Sequence, residues 1–144
     1  MIYTEMTIKA MKIAYDAHLG QLDYNGVPYI FHPYHLAEQM DDEISCTVAL
    51  LHDVVEDTSI TFADLEQMFP KQVVEIVMLL THDETVDYFE YIRKIKTNAI
   101  ATKVKLADIK HNSNEARSLG SNLTKEQLLY WKEKYAKAKE ILLQ

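Results

Sequence analysis

Residues 49–58 read ALLHDVVEDT. This stretch sets one histidine and three acids, His52, Asp53, Glu56 and Asp57, among residues that otherwise have the composition of a core helix. Burying an imidazole or a carboxylate costs several kcal/mol unless something pairs with it, on the order of the desolvation penalties known for such groups. At about 100° per residue, His52 lies above Glu56 and Asp53 above Asp57, and all four fall within about 140° of arc. One helix, expected over residues 42–57, thus points an imidazole and three carboxylates at a single region.

The surrounding pattern is helical too. Three glycines and three prolines in 144 residues leave little punctuation for strands, and the apolar spacing favours an all-α fold. Met6, Ile13, Ala14 and Ala17 share one face of a first helix that stops at Gly20, a C-terminal cap. The segment GQLDYNGVPYIFHP, residues 20–33, is a loop with three aromatics, long enough to shape a pocket rim. A short helix is expected over 33–40. Thr61 with Asp64 reads as a capping box opening a helix that ends near Phe69 and Pro70. VVEIVMLL, residues 73–80, is a core helix, followed by helices over 86–97 and 99–115. Thr124 with Gln127 caps a last helix whose Lys and Glu content reads as a solvated outer face. No repeat or linker divides the chain, so residues 1–144 are expected to form a single domain.

Composition narrows the function. A chain of this length buries roughly 70% of its unfolded surface and needs no disulfide. The one cysteine, Cys46, sits in an apolar-periodic segment as a buried hydrophobe, which suits a reducing cytoplasm. No leader opens the chain, and no apolar run approaches the roughly 18 residues of a membrane span; no membrane partner is expected. The net charge of −7 argues against a nucleic-acid partner, because phosphate-backbone affinity depends on clustered Lys and Arg. The charge is uneven, however: residues 99–144 hold 9 of the 15 basic groups against 5 acids. A small anionic ligand is therefore admissible if a metal or a few lysines hold it locally. Oligomeric state is left open.

Neutral imidazole and carboxylate oxygen are ligands that Mn, Fe or Zn accept, and a cation makes such a buried set tolerable. Adjacent His52 and Asp53 need further ligands from elsewhere. His32, before Pro33, and Asp108, interrupting VKLADIKHN with Asn112 one turn on, are the candidates. Four ligands, His32, His52, Asp53 and Asp108, leave positions open for water and substrate, as a hydrolytic metal requires. Glu56 and Asp57 are then free to take a proton from that water. His18 is read as interacting with the C-terminus of the first helix, and His35 and His82 as exposed. His111 is a candidate for supporting a ligand, and Lys105 reads equally as a phosphate contact or a solvated lysine.

The segments HLGQ…NGVPYIFHP, ALLHDVVEDT and VKLADIKHN, in that order and across nearly the whole chain, resemble the HD-superfamily hydrolase domain of the RelA/SpoT proteins, especially its free-standing small alarmone hydrolase form. The resemblance implies an all-helical HD-type bundle around one Mn ion, another divalent transition metal being the alternative. It also implies removal of the 3′-pyrophosphate from guanosine tetra- or pentaphosphate, a small-molecule nucleotide substrate. By position, His32, His52, Asp53 and Asp108 match the family's metal ligands, Glu56 and Asp57 its water-activating pair, and Asn112 an asparagine near the substrate.

The recognition loop departs from the family. Alarmone hydrolases continue the Gly-Gln step with an Arg-Lys pair, whereas Leu22, Asp23 and Tyr24 follow Gln21 here. Asp23 reverses the charge and is expected to repel phosphate, while Tyr24 offers a ring to a base. Three readings therefore stand: an alarmone pyrophosphohydrolase, an HD phosphohydrolase for a different nucleotide or polyphosphate, and a non-catalytic nucleotide-sensing module.

Overall fold

The computed structural model describes residues 1–144 and is all helical, apart from one isolated bridge between Leu22 and Pro28. Its elements run α1 (Glu5–Ala17), α2 (Phe31–Glu38), α3 (Glu43–Leu51), α4 (Val54–Asp57), α5 (Phe62–Met68), α6 (Lys71–Leu80), α7 (Tyr88–Lys96), α8 (Ala99–Asn112), a 3-10 turn (Glu115–Ser118) and α9 (Lys125–Leu143). Helix starts follow the capping chemistry of the sequence. The Thr61–Asp64 and Thr124–Gln127 boxes both form, each threonine hydroxyl accepting the N–H three residues on. Asp87 accepts from the N–H groups of Phe89 and Glu90 to open α7, and Arg93, Lys94 and Lys96 close it with the charge that a helix C-terminus favours.

Helix α3 is the axle. Every residue from Ser45 to Leu51 is buried, and α1, α2, α6 and α8 all pack on it. Leu50, Leu51, Val73, Val77, Ile92 and Val104 belong to one contiguous core with it. Helix α9 packs on α7 and α8 and buries Ala138, Ile141 and Leu142, while most of its Lys and Glu residues are exposed, as expected from its composition. Its period simply carries a second, narrower apolar stripe.

The expected helix over residues 42–57 is broken. It stops at Leu51 and resumes at Val54. The His52 imidazole donates from Nδ1 to the Ala49 carbonyl at 2.7 Å, the acceptor that a continuous helix would offer to the Asp53 N–H. The break brings neighbouring side chains together that a helix would splay by about 100°: His52 Nε2 lies 3.0 Å from Asp53 Oδ2. Two other boundaries move. Helix α2 begins at Phe31, so His32 sits in its first turn, and α8 ends at Asn112.

The loop before α2 doubles back on itself. Asp23 N–H bonds the Val27 carbonyl and Tyr29 N–H the Gln21 carbonyl, both at 2.8 Å. Gly26 turns it at φ +78, a left-handed conformation where a side chain would be strained. Tyr24 is carried to the exposed tip and Tyr29 is turned inward.

Because Leu51 is fully buried beside the break, Leu51→Ala is expected to cost about 2–5 kcal/mol in urea unfolding, and Thr124→Ala about 1 kcal/mol through its lost cap. A loss below about 1 kcal/mol for Leu51→Ala would show that the irregular turn after α3 lets the core close over the deletion.

Candidate metal centre and substrate cleft

Four side chains from three parts of the fold converge. His32 comes from α2, His52 and Asp53 from the broken turn after α3, and Asp108 from α8. His32 Nε2 lies 2.9 Å from Asp108 Oδ1 and 3.7 Å from Asp53 Oδ2, and His52 Nε2 lies 3.6 Å from Asp108 Oδ1. His32, His52 and Asp108 are buried. One donor atom each from His32, His52 and Asp53 lies within 4.8 Å of the others. A second such group joins Asp53 to Glu56 and Asp57.

The donor chemistry fits a divalent cation. With its Nδ1–H committed to Ala49, neutral His52 presents a bare Nε2 lone pair, and that buried nitrogen has no hydrogen-bond partner despite its closeness to carboxylate oxygen. A lone pair facing two carboxylates is repelled by them, and a cation between them turns the repulsion into ligation. Without one, positive charge is drawn from the protein. Burial alone works against a charged imidazole, but Asp53 and Asp108 override it and push His52 well above its ordinary range. Burial would likewise raise Asp108, yet Lys105 and the two imidazoles hold it far below the usual carboxylate range.

Each ligand candidate is oriented by a partner, and His111 takes the supporting place that the sequence offered it. Tyr29 donates its hydroxyl to Asp53 Oδ2 at 2.5 Å. His32 Nδ1 lies 2.7 Å from His111 Nδ1, with the two rings in parallel planes. For His32 to offer Nε2 to a metal, Nδ1 must carry the proton and His111 must accept it. Burial, reinforced by the Arg117 charge, lowers His111 to about 3 and keeps it neutral and able to accept. Lys105 Nζ binds Asp108 Oδ2 at 2.8 Å and sits over the Tyr91 ring, so it is neither solvated nor free. Asn112 donates to Asp108 Oδ1 at 3.0 Å and accepts from Arg117 Nη1 at 3.1 Å.

Glu56 and Asp57, exposed on α4, stand beside this group. The Glu56 carboxylate accepts the His82 N–H at 2.7 Å. Although both keep a solvent-facing side, partial desolvation against the cleft wall, with Asp53 nearby, raises Asp57 to about 6 and lifts Glu56 as well. The remaining histidines serve packing. His18 is buried, bonded to Gln21 and lowered by burial, hence neutral rather than the charged partner of the α1 terminus. His35 is exposed as expected and rests on His111, whereas His82 is half-buried with Nε2 donating to the Val86 carbonyl.

The cluster opens into a cleft of about 1410 Å³. Asp53, Glu56, Asp57 and Asp108 line it, and so do Lys125, Lys132, Lys134 and Lys139 of α9. Tyr24 also lines it, in contact with Trp131. Asp23 does not present a bare charge there: Oδ1 accepts the N–H groups of Asn25 and Val27, and Oδ2 lies 3.7 Å from Arg117 Nη2. Sequence reasoning missed Tyr29, Arg117 and the α9 lysines. The basic surplus after residue 99 was the one available signal for the lysines.

Because His111 fixes the proton on His32, His111→Ala is expected to weaken divalent-metal affinity by roughly 10–100-fold in a calorimetric titration, with the helical circular dichroism retained. Unchanged affinity would remove His111 from the support of the site.

The HD domain family model matches residues 10–116. SpoT of Escherichia coli (strain K12), named as a bifunctional (p)ppGpp synthase/hydrolase, is 39% identical over 78% of this chain and 18% of its own length; the chain thus spans under a fifth of that relative. A Danio rerio protein named guanosine-3′,5′-bis(diphosphate) 3′-pyrophosphohydrolase MESH1 is 35% identical over 76% of this chain and 68% of its own. A solved structure, described as a metazoan ortholog of SpoT that hydrolyzes ppGpp and plays a role in starvation responses, superposes with a TM-score of 0.81 at 26% identity, covering 99% of this chain and 88% of that one. Divalent-metal binding is the property that this family and the histidine-carboxylate cluster share. By its matched residues, its helical fold and its buried cluster, the chain belongs to the HD domain family.

Proposed function

We propose that residues 1–144 act as one HD-type phosphohydrolase domain of the cytoplasm, dependent on Mn or a similar divalent transition ion, that removes the 3′-pyrophosphate of guanosine tetra- or pentaphosphate. The observation that carries this reading is the cleft itself, which joins a cluster of nitrogen and oxygen donors to a lysine-lined wall. The names of SpoT and MESH1 and their identity to this chain support the substrate.

In this reading His32, His52, Asp53 and Asp108 hold the ion. A bound divalent ion supplies Lewis-acid charge to a phosphoryl oxygen and makes water more acidic. Glu56 and Asp57 receive the proton of the attacking water; their raised affinity for protons suits them as bases near neutral pH. Water adds to the phosphorus nearest the ribose, the bond from that phosphorus to the 3′ oxygen breaks, and the departing oxygen takes a proton. Asn112 and Lys105 stand where the cleft meets Asp108 and steady both that carboxylate and the phosphate above it. Lysines of α9 attract the polyphosphate that the overall charge of −7 would repel.

The test is pyrophosphate release from guanosine tetraphosphate with added Mn. Asp53→Ala is expected to lose both metal binding and turnover. Glu56→Gln and Asp57→Asn are expected to keep the metal and lose roughly 10²–10⁴-fold in kcat, the span of general-base catalysis. Absence of release from folded, metal-loaded wild-type protein would overturn the substrate, and tight nucleotide binding without turnover would favour a sensing module instead.

A further inference from the structure

Arg117 takes no part in the metal cluster, yet its guanidinium meets three separate points of the chain. Nη1 donates to the His111 carbonyl at 3.2 Å and to Asn112 Oδ1 at 3.1 Å, both on the last turn of α8, and Nη2 lies 3.7 Å from Asp23 Oδ2 in the loop before α2. Asp23 is a fixed anchor, because its Oδ1 accepts the Asn25 and Val27 N–H groups. Arg117 and Asp23 line both the main cleft and a smaller cavity of about 400 Å³ beside His35 and His111, so the pair stands between the two.

The consequence falls on Asn112, whose amide can turn either its oxygen or its nitrogen to a neighbour. A guanidinium only donates and an ionised carboxylate only accepts, and Asp108 is held ionised despite its burial, chiefly by Lys105. One orientation satisfies both neighbours: Oδ1 faces Arg117, and Nδ2 donates to Asp108 Oδ1 at 3.0 Å. Asp108 by itself selects the nitrogen but leaves the amide plane free to swing about that one bond. The clamp at Oδ1 fixes the plane and keeps the carbonyl oxygen away from an arriving anion. Nδ2 carries a second N–H beyond the one given to Asp108, and Asn112 lines the cleft.

We propose that Arg117, anchored by Asp23, is a positioning residue for substrate recognition: it locks the Asn112 amide so that Asn112 meets an anionic substrate as a hydrogen-bond donor only. A lysine cannot stand in, because only the planar fork reaches the α8 terminus with one nitrogen and Asp23 with the other. This deepens the phosphohydrolase reading, on which its kinetic consequence rests.

The experiment has two arms on the full chain. In nitrogen-15 correlation spectra, the two Asn112 side-chain N–H signals are assigned by their loss in Asn112→Ala. Arg117→Gln is expected to move them toward the values of a solvent-exposed asparagine, Arg117→Lys to do the same, and Asp23→Asn to move them less in the same direction. With guanosine tetraphosphate and Mn, Arg117→Gln is expected to raise KM about tenfold, the low end for a hydrogen bond to a charged group, with kcat within about twofold of wild type and Mn affinity within about threefold. A KM effect of this kind marks lost substrate binding rather than a damaged catalytic centre. In the Asn112→Ala background, Arg117→Gln is expected to add less than about twofold, since the two residues act as one unit. Unmoved Asn112 signals in Arg117→Gln would overturn the proposal, as would fully multiplicative effects in the double variant, wild-type behaviour of Arg117→Lys, or a fall in kcat and Mn affinity at unchanged KM. Moved signals in a protein that releases no pyrophosphate would retain the positioning and remove the hydrolase reading; release with unmoved signals would do the reverse.

Discussion

A buried and a half-buried carboxylate share with two buried imidazoles a space only a few ångströms wide, and the way they share charge governs the architecture around them. Asp53 and Asp108 cannot both stay ionised in a low-dielectric interior without compensating cations close by. The protein supplies one cation permanently: Lys105, whose ammonium burial would discharge, is held charged by Asp108. That still leaves a second carboxylate and a bare imidazole nitrogen. A divalent ion completes the count, and because its ligands come from α2, the turn after α3, and α8, it also ties those elements together. Any ion that binds the folded chain and not the unfolded one adds stability by mass action, so site and scaffold are thermodynamically one object.

The cleft holds enough positive charge to ease the tension between an acidic chain and an anionic ligand. Asp53, Glu56, Asp57 and Asp108 line the cleft beside the histidines, and α9 adds four lysines to its wall. One of these lysines, Lys134, is also braced by the Tyr88 ring, as Lys105 of α8 is by Tyr91. Burial lowers Lys134 from its ordinary range, a sign that its ammonium is turned into the cleft rather than into bulk water.

Much of this was legible in the sequence because its signals are local. Capping boxes at Thr61 and Thr124, the apolar run at residues 73–80 and the helical period of the whole chain act over three or four residues and appear where expected. What was not legible depends on partners distant in sequence. The break at His52 arises from a side chain competing with the backbone for the Ala49 carbonyl, and no periodicity records that competition. Tyr29 finds Asp53 only because α2 packs on α3, and although His111 was a candidate for supporting a ligand, that its ligand is His32 follows from α2 packing on α8. The lysines of α9 are mostly exposed, as their composition suggested, and only the packing of α9 on α7 and α8 reveals that four of them also line the cleft.

Asp23 shows how a residue misleads when its charge is read in isolation. As a free carboxylate at the mouth of the cleft it would push phosphate away, which made the loop look hostile to a nucleotide. In the fold it is a turn-former: it caps two backbone N–H groups and faces Arg117, so its charge is spread over partners and the repulsion is largely cancelled. The pairing has a further effect. Arg117, steadied by Asp23, donates to Asn112, and Asn112 donates to Asp108, so the loop tip is linked by hydrogen bonds and one ion pair to the metal cluster. The acid in the loop thus does not empty the cleft of positive charge: a guanidinium on the segment after α8 orients an amide, and the loop tip carries an aromatic ring.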